Sequence, residues 1–240
     1  MERDVSSNQM ALGSDYACPI CHGVGIVHKW IETVDGLRKV DYSKVHPCKC
    51  QDIIWRTQRY KNILRFCELP PKAEDMKFST LRKNPGTENA VRWAMYMAEG
   101  KTKEWLTMVG DSGVGKTHLA IAIANYWLEH GGVAKYVYVP VLFDELRDSF
   151  SKEGFESYSF KFKAYCEVPL LILDDLGLES KTEWLNEKFT TLLNERIMKE
   201  LPVVATTNCP FDEIPFRIAS RLQRAGKIVH ITAQPFHGMI

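Results

Sequence analysis

The feature that most restricts the fold is a glycine-rich loop with the sequence GDSGVGKT, at positions 110–117. A short apolar run from Trp105 to Val109 precedes the loop, and a helical pattern from His118 to Glu129 follows it. Glycines at these spacings let the backbone wrap closely, so that successive N–H groups point at one anion. A chance match to G-x-x-x-x-G-K-T would lack the flanking strand and helix. The loop therefore predicts a strand–loop–helix unit that binds the phosphates of ATP.

The loop and the start of the following helix supply the candidate contacts to ATP. They are Gly110, Asp111, Ser112, Gly113, Val114, Gly115, Lys116, Thr117 and His118. We expect Lys116 to reach the β- and γ-phosphates and Thr117 to ligate the Mg²⁺ that accompanies ATP. The N-terminal end of the helix adds its positive dipole to the same anion site.

Two acidic residues follow a later, fully apolar strand. Leu170 to Leu173 leads directly into Asp174 and Asp175. Paired carboxylates at the end of a buried strand are costly unless they face a cation. We therefore expect Asp174 to hold Mg²⁺ and Asp175 to orient or deprotonate the attacking water, which makes the chain an ATPase. The competing interpretation is an acidic turn that closes the strand.

A polar amide and a row of arginines follow the strand VVATT. Asn208 stands at the carboxyl end of that strand, where parallel sheets place their active sites, and could position the water near the γ-phosphate. It equally suits a turn before the next proline. Arg217, Arg221 and Arg224 follow at four- and three-residue spacing, so they share one side of a helix. This row suits phosphate contact across a subunit boundary, or it forms a solvated basic face.

Apolar strands alternate with helices from about residue 86 onward. This alternation predicts an α/β fold with a parallel sheet that is covered on both faces. We divide the chain into a disordered N-terminus (1–15), a cysteine-rich module (16–51), a basic connector (52–85) and an ATPase domain (86–240).

Composition and charge restrict the cellular compartment and the kinds of partner that the sequence predicts. Apolar residues make up 45% and charged residues 25% of the chain, as is typical of soluble globular proteins. With a formal net charge of +1, any nucleic-acid surface must come from local clustering. No apolar run reaches the roughly 20 residues that span a bilayer, and the polar start of the sequence does not resemble a signal peptide. These features predict a cytoplasmic protein that does not engage a membrane.

Four of the seven cysteines cluster near the start of the sequence. Cys18 and Cys21 are separated by two residues, a spacing at which two thiolates chelate one side of a tetrahedral ion. We expect Cys48 and Cys50 to complete a structural zinc site, although their C-x-C spacing is tighter. The alternative ligands are His22 and His46, and free thiols are the alternative to metal binding. The module has too few apolar residues to fold without a metal.

A basic stretch lies between residues 28 and 66, where nine Lys or Arg stand against four Asp or Glu. Aromatic residues are interleaved with the basic ones, namely Trp55, Tyr60 and Phe66 with Arg56, Arg59, Lys61 and Arg65. Three interpretations fit this pattern equally: a surface for single-stranded DNA, a surface for an acidic partner, and an amphipathic linker helix.

Four segments, in this order and spacing, resemble the DnaC/DnaI helicase loaders within the AAA+ ATPases. The segments are GDSGVGKTHLA, LLILDDLG, VVATTN and IASRL. The resemblance covers roughly residues 70–233, and its nearby branches are the replication initiator DnaA and the IstB transposition helpers. It implies an AAA+ domain with a central five-stranded parallel sheet. Because only residues 233–240 follow the last predicted strand, the helical lid of that fold is expected to be absent or vestigial.

The resemblance also implies roles for individual residues. Asn208 would be the sensor that reports the γ-phosphate, Arg221 an arginine finger that acts in trans on a neighbour's ATP, and Arg217 the accompanying box arginine. ATP-bound chains would then self-associate. Loaders of this type assemble on a DnaB-type replicative helicase and pass single-stranded DNA into its ring. Some have an N-terminal zinc-binding region that engages the helicase.

Two other functions fit part of the pattern. A transposition helper of the IstB type would bind duplex DNA and recruit a transposase, but the zinc module favours the loader. A small-molecule phosphotransferase would need a substrate lid, and the combination of Asp174 and Asp175 with Asn208 and Arg221 argues against it.

Overall fold

The computed structural model describes residues 18, 20, 26–33, 35–41, 44, 46–148, 152–177 and 183–236. The chain divides into two compact units, Met1–Arg59 and Tyr60–Ile240. The stretch 1–15, which was expected to be disordered, lies outside the described residues, and the predicted domain boundaries remain predictions.

The first unit contains two short antiparallel strand pairs. Its strands are β1 (Ile26–Val27), β2 (Trp30–Glu32), β3 (Arg38–Val40) and β4 (His46–Pro47). Strand β1 pairs with β4, and β2 pairs with β3. Gly36 takes a φ of 73° in the turn between β2 and β3, a left-handed conformation that glycine adopts without strain. Helix α1 (Lys49–Cys67) begins in this unit and runs into the second.

In the second unit, helices and strands alternate along the chain. They are α2 (Glu88–Ala98), β5 (Trp105–Gly110), α3 (Lys116–Glu129), β6 (Ala134–Tyr138), α4 (Val139–Asp148), α5 (Lys152–Glu167), β7 (Leu170–Asp174), α6 (Glu183–Met198), β8 (Val203–Thr207), α7 (Phe216–Ala225) and β9 (Gly226–Ile231). The five strands form one parallel sheet in the order β6-β7-β8-β5-β9. The predicted α/β fold with a five-stranded parallel sheet is therefore confirmed.

Apolar side chains bury both faces of this sheet. Along β7, Leu170 and Ile172 pack in a core with α2 and α3, whereas Leu171 and Leu173 pack in a second core with α4 to α7. Successive side chains of a strand point to opposite faces, so an all-apolar strand requires cover on each side. This explains why strands β7 and β8 are continuous runs of buried residues.

The strand order brings three chain segments together at one edge of the sheet. Strand β8 lies between β5 and β7, and all three are parallel. Their carboxyl ends therefore meet, and these ends are the positions of Gly110, Asp174 and Thr207. The loops that follow them form the site described below.

The chain departs from the predicted elements after strand β6. From its apolar and aromatic residues the sequence predicts one strand from Ala134 to Val141, but the strand ends at Tyr138 and helix α4 begins at Val139. Pro140 explains the difference, because proline lacks the N–H that a strand ladder needs and is favoured in the first turn of a helix. Helix α5 (Lys152–Glu167) was not predicted.

A fully buried arginine connects three elements on one side of the sheet. The guanidinium of Arg196, on α6, donates to the carbonyl oxygens of Tyr165 (2.7 Å), Val168 (2.9 Å) and Pro202 (2.7 Å). Burial lowers the pKa of Arg196 to about 10. These bonds join the end of α5 to the segments that lead into β7 and β8.

In the part of the chain that the structure describes, no helix has the length and apolar character required to cross a bilayer.

Candidate functional site

The loop between β5 and α3 takes its conformation from glycines. Gly113 and Gly115 have φ values of 78° and 100°, in the left-handed region that other residues rarely occupy. A Cβ atom at Gly110 would lie 2.6 Å from the carbonyl oxygen of Ile231, on the neighbouring strand β9. Side chains at these positions would distort the loop, so its sequence is required for its shape.

The side chain of Lys116 lies along the inside of this loop. Its Nζ donates to the carbonyl oxygens of Gly110 (2.8 Å) and Asp111 (2.7 Å) and to Oδ1 of Asn208 (2.6 Å). Burial lowers the pKa of Lys116, although Asp175, Asp174 and Asp111 each act to raise it. A cation is thus held at the centre of the loop, where a phosphate chain would bind.

Asp174 is buried and accepts hydrogen bonds from three hydroxyl groups. Thr117 Oγ1 lies 3.0 and 3.2 Å from its two carboxylate oxygens, Thr206 Oγ1 lies 2.6 Å from Oδ1, and the Tyr136 hydroxyl lies 2.8 Å from Oδ2. The hydroxyl of Thr117 and the carboxylate of Asp174 are hard oxygen donors, which suit Mg²⁺. Tyr136 and Thr206 fix the orientation of the carboxylate. Burial and the neighbouring Asp174 raise the pKa of Tyr136, which keeps it a donor.

Asp175 occupies a strained position beside Asp174. It has a φ of 59°, and its N–H donates to Oγ1 of Thr206 at 2.9 Å. Its carboxylate accepts from Nδ2 of Asn208 at 2.9 Å and from the Tyr138 hydroxyl at 3.2 Å. A non-glycine residue held in the left-handed region costs free energy and is frequent at active sites. The backbone here directs the second carboxylate towards Asn208, and the first towards Thr117.

These groups surround one cavity of about 320 Å³. The lining residues on the loop side are Ser112, Gly113, Gly115, Lys116, Thr117 and His118, and those on the strand side are Tyr138, Asp174, Asp175, Thr206 and Asn208. Of the other predicted loop residues, Val114 buries its side chain in the core, and Gly110 and Asp111 accept bonds from Lys116. The Nε2 atom of His118 lies 3.1 Å from the carbonyl oxygen of Lys77, which anchors the preceding segment to α3.

Two residues of the site were missed in the sequence analysis, Tyr136 and Tyr138. They stand two apart on β6, so they point to the same face, and Tyr138 is in register with Asp174 on β7. The alternating pattern Tyr-Val-Tyr was the available signal. It becomes informative only once β6 is known to pair with β7.

The predicted arginines lie on α7 and are not among the residues that line the cavity. Arg221 Nε donates to Oδ1 of Asn194 on α6 at 2.6 Å, and its guanidinium also donates to the carbonyl oxygen of Arg217. Arg217 and Arg224 are exposed, and Arg221 is half-buried. None of the three arginines therefore contributes to the lining of this cavity in its own chain.

Three of the predicted metal ligands lie together in the first unit. The sulfur atoms of Cys18, Cys48 and Cys50 lie within 4.8 Å of one another, and Sγ of Cys18 is 3.8 Å from Sγ of Cys48. Ligands about 2.3 Å from a tetrahedral zinc ion lie about 3.8 Å apart, so this pair fits such a site. Cys21, the fourth predicted ligand, lies outside the described residues, as does His22.

The parallel sheet, the glycine loop and the carboxylate pair define a P-loop nucleotide-binding protein of the α/β class. The chain belongs to the family of IstB-like ATP binding proteins, whose match covers residues 46–218.

The chain is similar in sequence to two bacterial proteins of DNA replication. The replicative helicase loader DnaI of Bacillus subtilis (strain 168) is 37% identical over 120 residues, which cover 50% of this chain and 37% of DnaI. The chromosomal replication initiator protein DnaA of Campylobacter concisus (strain 13826) is 31% identical over 127 residues, which cover 50% of this chain and 28% of DnaA. The matched segments are thus a minor part of each relative.

Solved structures share the fold. A crystal structure of DnaI has a TM-score of 0.59 at 30% identity and covers 70% of this chain and 93% of that chain. The structure of AMPPCP-bound DnaA from Aquifex aeolicus has a TM-score of 0.59 at 21% identity and covers 68% of this chain and 51% of that chain. The second likeness concerns the fold alone.

Proposed function

We propose that the chain binds ATP with Mg²⁺ in the loop cavity and hydrolyses it. The observation that supports this proposal is a pair of hydrogen bonds that share the side-chain amide of Asn208. Lys116 donates to its oxygen, and its nitrogen donates to Asp175. Lys116 neutralises charge on the β- and γ-phosphates. The amide of Asn208 lies between the ammonium group of Lys116 and the carboxylate of Asp175. Asp175 accepts a proton from the attacking water or orients it. Thr117 and Asp174 would hold Mg²⁺, which neutralises charge on the phosphate oxygens when bound.

The chain uses ATP binding and hydrolysis to load a DnaB-type replicative helicase onto single-stranded DNA, during initiation or restart of replication. The identity of 37% over 120 residues to a protein named as a replicative helicase loader supports this role. ATP binding and hydrolysis switch the affinity of the chain for the helicase and for single-stranded DNA.

The cysteine cluster holds one structural zinc ion, with Cys21 as the fourth ligand. The close approach of the Cys18, Cys48 and Cys50 sulfur atoms supports this assignment. The folded module, with the basic segment that follows it, provides the surface that engages the helicase or the DNA.

Hydrolysis depends on self-association, because Arg221 acts on ATP held by a neighbouring chain. The position of Arg221 on α7, among residues that do not line its own nucleotide cavity, supports action in trans. Its charge stabilises the transition state of phosphoryl transfer, and Arg217 assists from one turn earlier.

A transposition helper that binds duplex DNA is the second candidate function. The observation that favours it is the match of residues 46–218 to the IstB-like ATP binding proteins. Both functions use the same ATP site, so they differ only in the partner.

The two candidates are separated by a binding experiment with purified components. The protein is mixed with ATP and either a purified DnaB-type helicase or duplex DNA, and complexes are detected by size-exclusion chromatography. A loader forms an ATP-dependent complex with the helicase, and the Lys116→Ala variant fails to form it. ATP-dependent binding to duplex DNA without any binding to the helicase would instead identify the transposition helper.

A further inference from the structure

Residues 232–236, here called the β9 extension, leave the sheet and lie against the phosphate loop. The N–H of Phe236 donates to the carbonyl oxygen of Gly113 at 3.0 Å. The Cβ of Pro235 lies 3.5 Å from the position that a Cβ would take on Gly113, and the Phe236 ring lies 3.6 Å from that position on Gly115. An aromatic ring therefore lies beside the glycine face of the loop that is proposed to hold the phosphates.

The β9 extension is also fastened from its other side. Asn84 Nδ2 donates to the carbonyl oxygen of Gln234 at 2.8 Å. Gly86 has a φ of 94°, and a Cβ there would lie only 2.8 Å from the backbone nitrogen of Ala233. Ala233 is buried, whereas Phe236 keeps 44% of its surface exposed. The backbone of the extension is thus held in place, while the Phe236 ring remains available to a ligand.

The strand order indicates which part of a nucleotide would meet this ring. Asp174 and Asn208 follow β7 and β8, on one side of the loop strand β5, and the β9 extension follows the strand on its other side. In the proposed ATP site, the terminal phosphate would lie towards Asp174 and Asn208, because the residues proposed to hold Mg²⁺ and to activate water are there. The remainder of the nucleotide must leave the loop in the opposite direction, towards β9.

We infer that Phe236 is the stacking surface for the purine base of the bound nucleotide. This inference rests on the proposed binding of ATP at the loop. Base stacking on an aromatic ring is favourable for any base, because every base has a π face. Phe236 therefore adds affinity without distinguishing ATP from GTP, and a phenyl ring offers no hydrogen bond that could select adenine.

The test compares MgATP with magnesium tripolyphosphate, which has the phosphate chain but no base. Binding of each to the full chain is measured by calorimetry. The Phe236→Ala variant should bind ATP and GTP roughly fivefold or more weakly, and tripolyphosphate as tightly as the wild type does. Phe236→Trp should retain ATP affinity. The matched control is Tyr96→Ala, since Tyr96 is 43% exposed on α2 and is not a residue of the nucleotide cavity.

Three outcomes would overturn the inference. If Phe236→Ala binds ATP as the wild type does, the base does not stack there. If the variant loses affinity for ATP and tripolyphosphate equally, Phe236 supports the shape of the loop and does not contact the base. If the wild type binds neither compound, the ATP proposal itself fails, and this inference fails with it.

Discussion

The ammonium group of Lys116 lies 2.6 Å from the side-chain oxygen of Asn208. The nitrogen of the same amide donates to Asp175, 2.9 Å away. One amide thus contacts both the cation expected to bind phosphate and the carboxylate expected to activate water. We expect a phosphate that draws Lys116 towards itself to change the partners of Asn208 as well, so that occupancy of the loop would affect the position of Asp175.

Removal of the loop cation should abolish ATP binding. Lys116→Ala deletes the charge that the cavity directs at the β- and γ-phosphates, and its loss cannot be offset by Mg²⁺ alone. Calorimetric titration with MgATP measures the effect. The control is Lys103→Ala, because Lys103 is an exposed lysine that precedes β5 at the opposite end of the strand. An affinity within a few-fold of the wild type would refute the phosphate-loop assignment.

The affinity for ATP should fall at alkaline pH. The fall should begin at a lower pH than it would if Lys116 had the pKa of an exposed lysine. In the nucleotide-free protein, burial lowers the pKa of Lys116 below the ordinary lysine value of 10.5, so the ammonium group loses its proton at a lower pH than an exposed lysine does. ATP binds the protonated form, so above this pKa the affinity should decline by up to about tenfold per pH unit. Calorimetric titrations with MgATP between pH 8 and 10.5 test whether the affinity falls as the pH rises. A flat profile over this range would contradict it.

The two carboxylates should have separable roles. Asp175→Asn should keep ATP bound but slow hydrolysis by roughly 10²- to 10⁴-fold, because only the water-activating charge is lost. Asp174→Asn should instead weaken the dependence of ATP binding on Mg²⁺. Steady-state phosphate release and ATP titrations with and without Mg²⁺ distinguish the two. Loss of ATP binding in Asp175→Asn would mean that this residue has another role.

Zinc should be present at one ion per chain and should control the reactivity of the clustered thiols. Chelation should expose the cysteines of the module to a thiol reagent at pH 8. Cys67, Cys166 and Cys209 are buried, and burial raises the pKa of Cys67 and Cys166 to about 11, so these should react only after denaturation.

Elemental analysis of protein purified without chelators measures the zinc content. The Cys21→Ser variant should lose the ion and unfold the module, while ATP binding by the second unit persists. Protein without zinc, or with thiols that react equally before and after chelation, would exclude the site.

Arg221→Ala should bind ATP normally but fail to hydrolyse it in the assembled state. An arginine finger contributes roughly 10³- to 10⁵-fold in rate as the transition state forms. Arg224→Ala, on the next turn of α7, is the matched control and should hydrolyse ATP normally. Mixing Arg221→Ala with Lys116→Ala chains should recover some activity, since some interfaces then pair an intact loop with an intact arginine. A mixture that co-assembles but stays inactive would rule out action in trans.

The parts of the site that depend on local sequence were predictable, and the parts that depend on strand pairing were not. The glycine loop and the Asp174–Asp175 pair each follow their own strand, so the chain order alone indicates them. The contact from Tyr136 to Asp174 requires the register of β6 against β7. Arg196 likewise gave no signal, because two of its three acceptor carbonyls, those of Tyr165 and Val168, lie 31 and 28 residues earlier in the sequence. Pro140 carried the local information that would have ended β6 correctly.

The strand order also has a consequence for the synthesis of the protein on the ribosome. Strand β5, which leads into the phosphate loop, has β8 and β9 as its two neighbours, and both are translated long after it. The bond that fastens the β9 extension joins Asn84 to Gln234, 150 residues later. Until those residues emerge, both edges of β5 lack their ladder partners, and an unpaired apolar strand is prone to pair with other chains. The nascent chain therefore completes the strand pairing around its phosphate loop only after the residues of β9 and its extension have been synthesised.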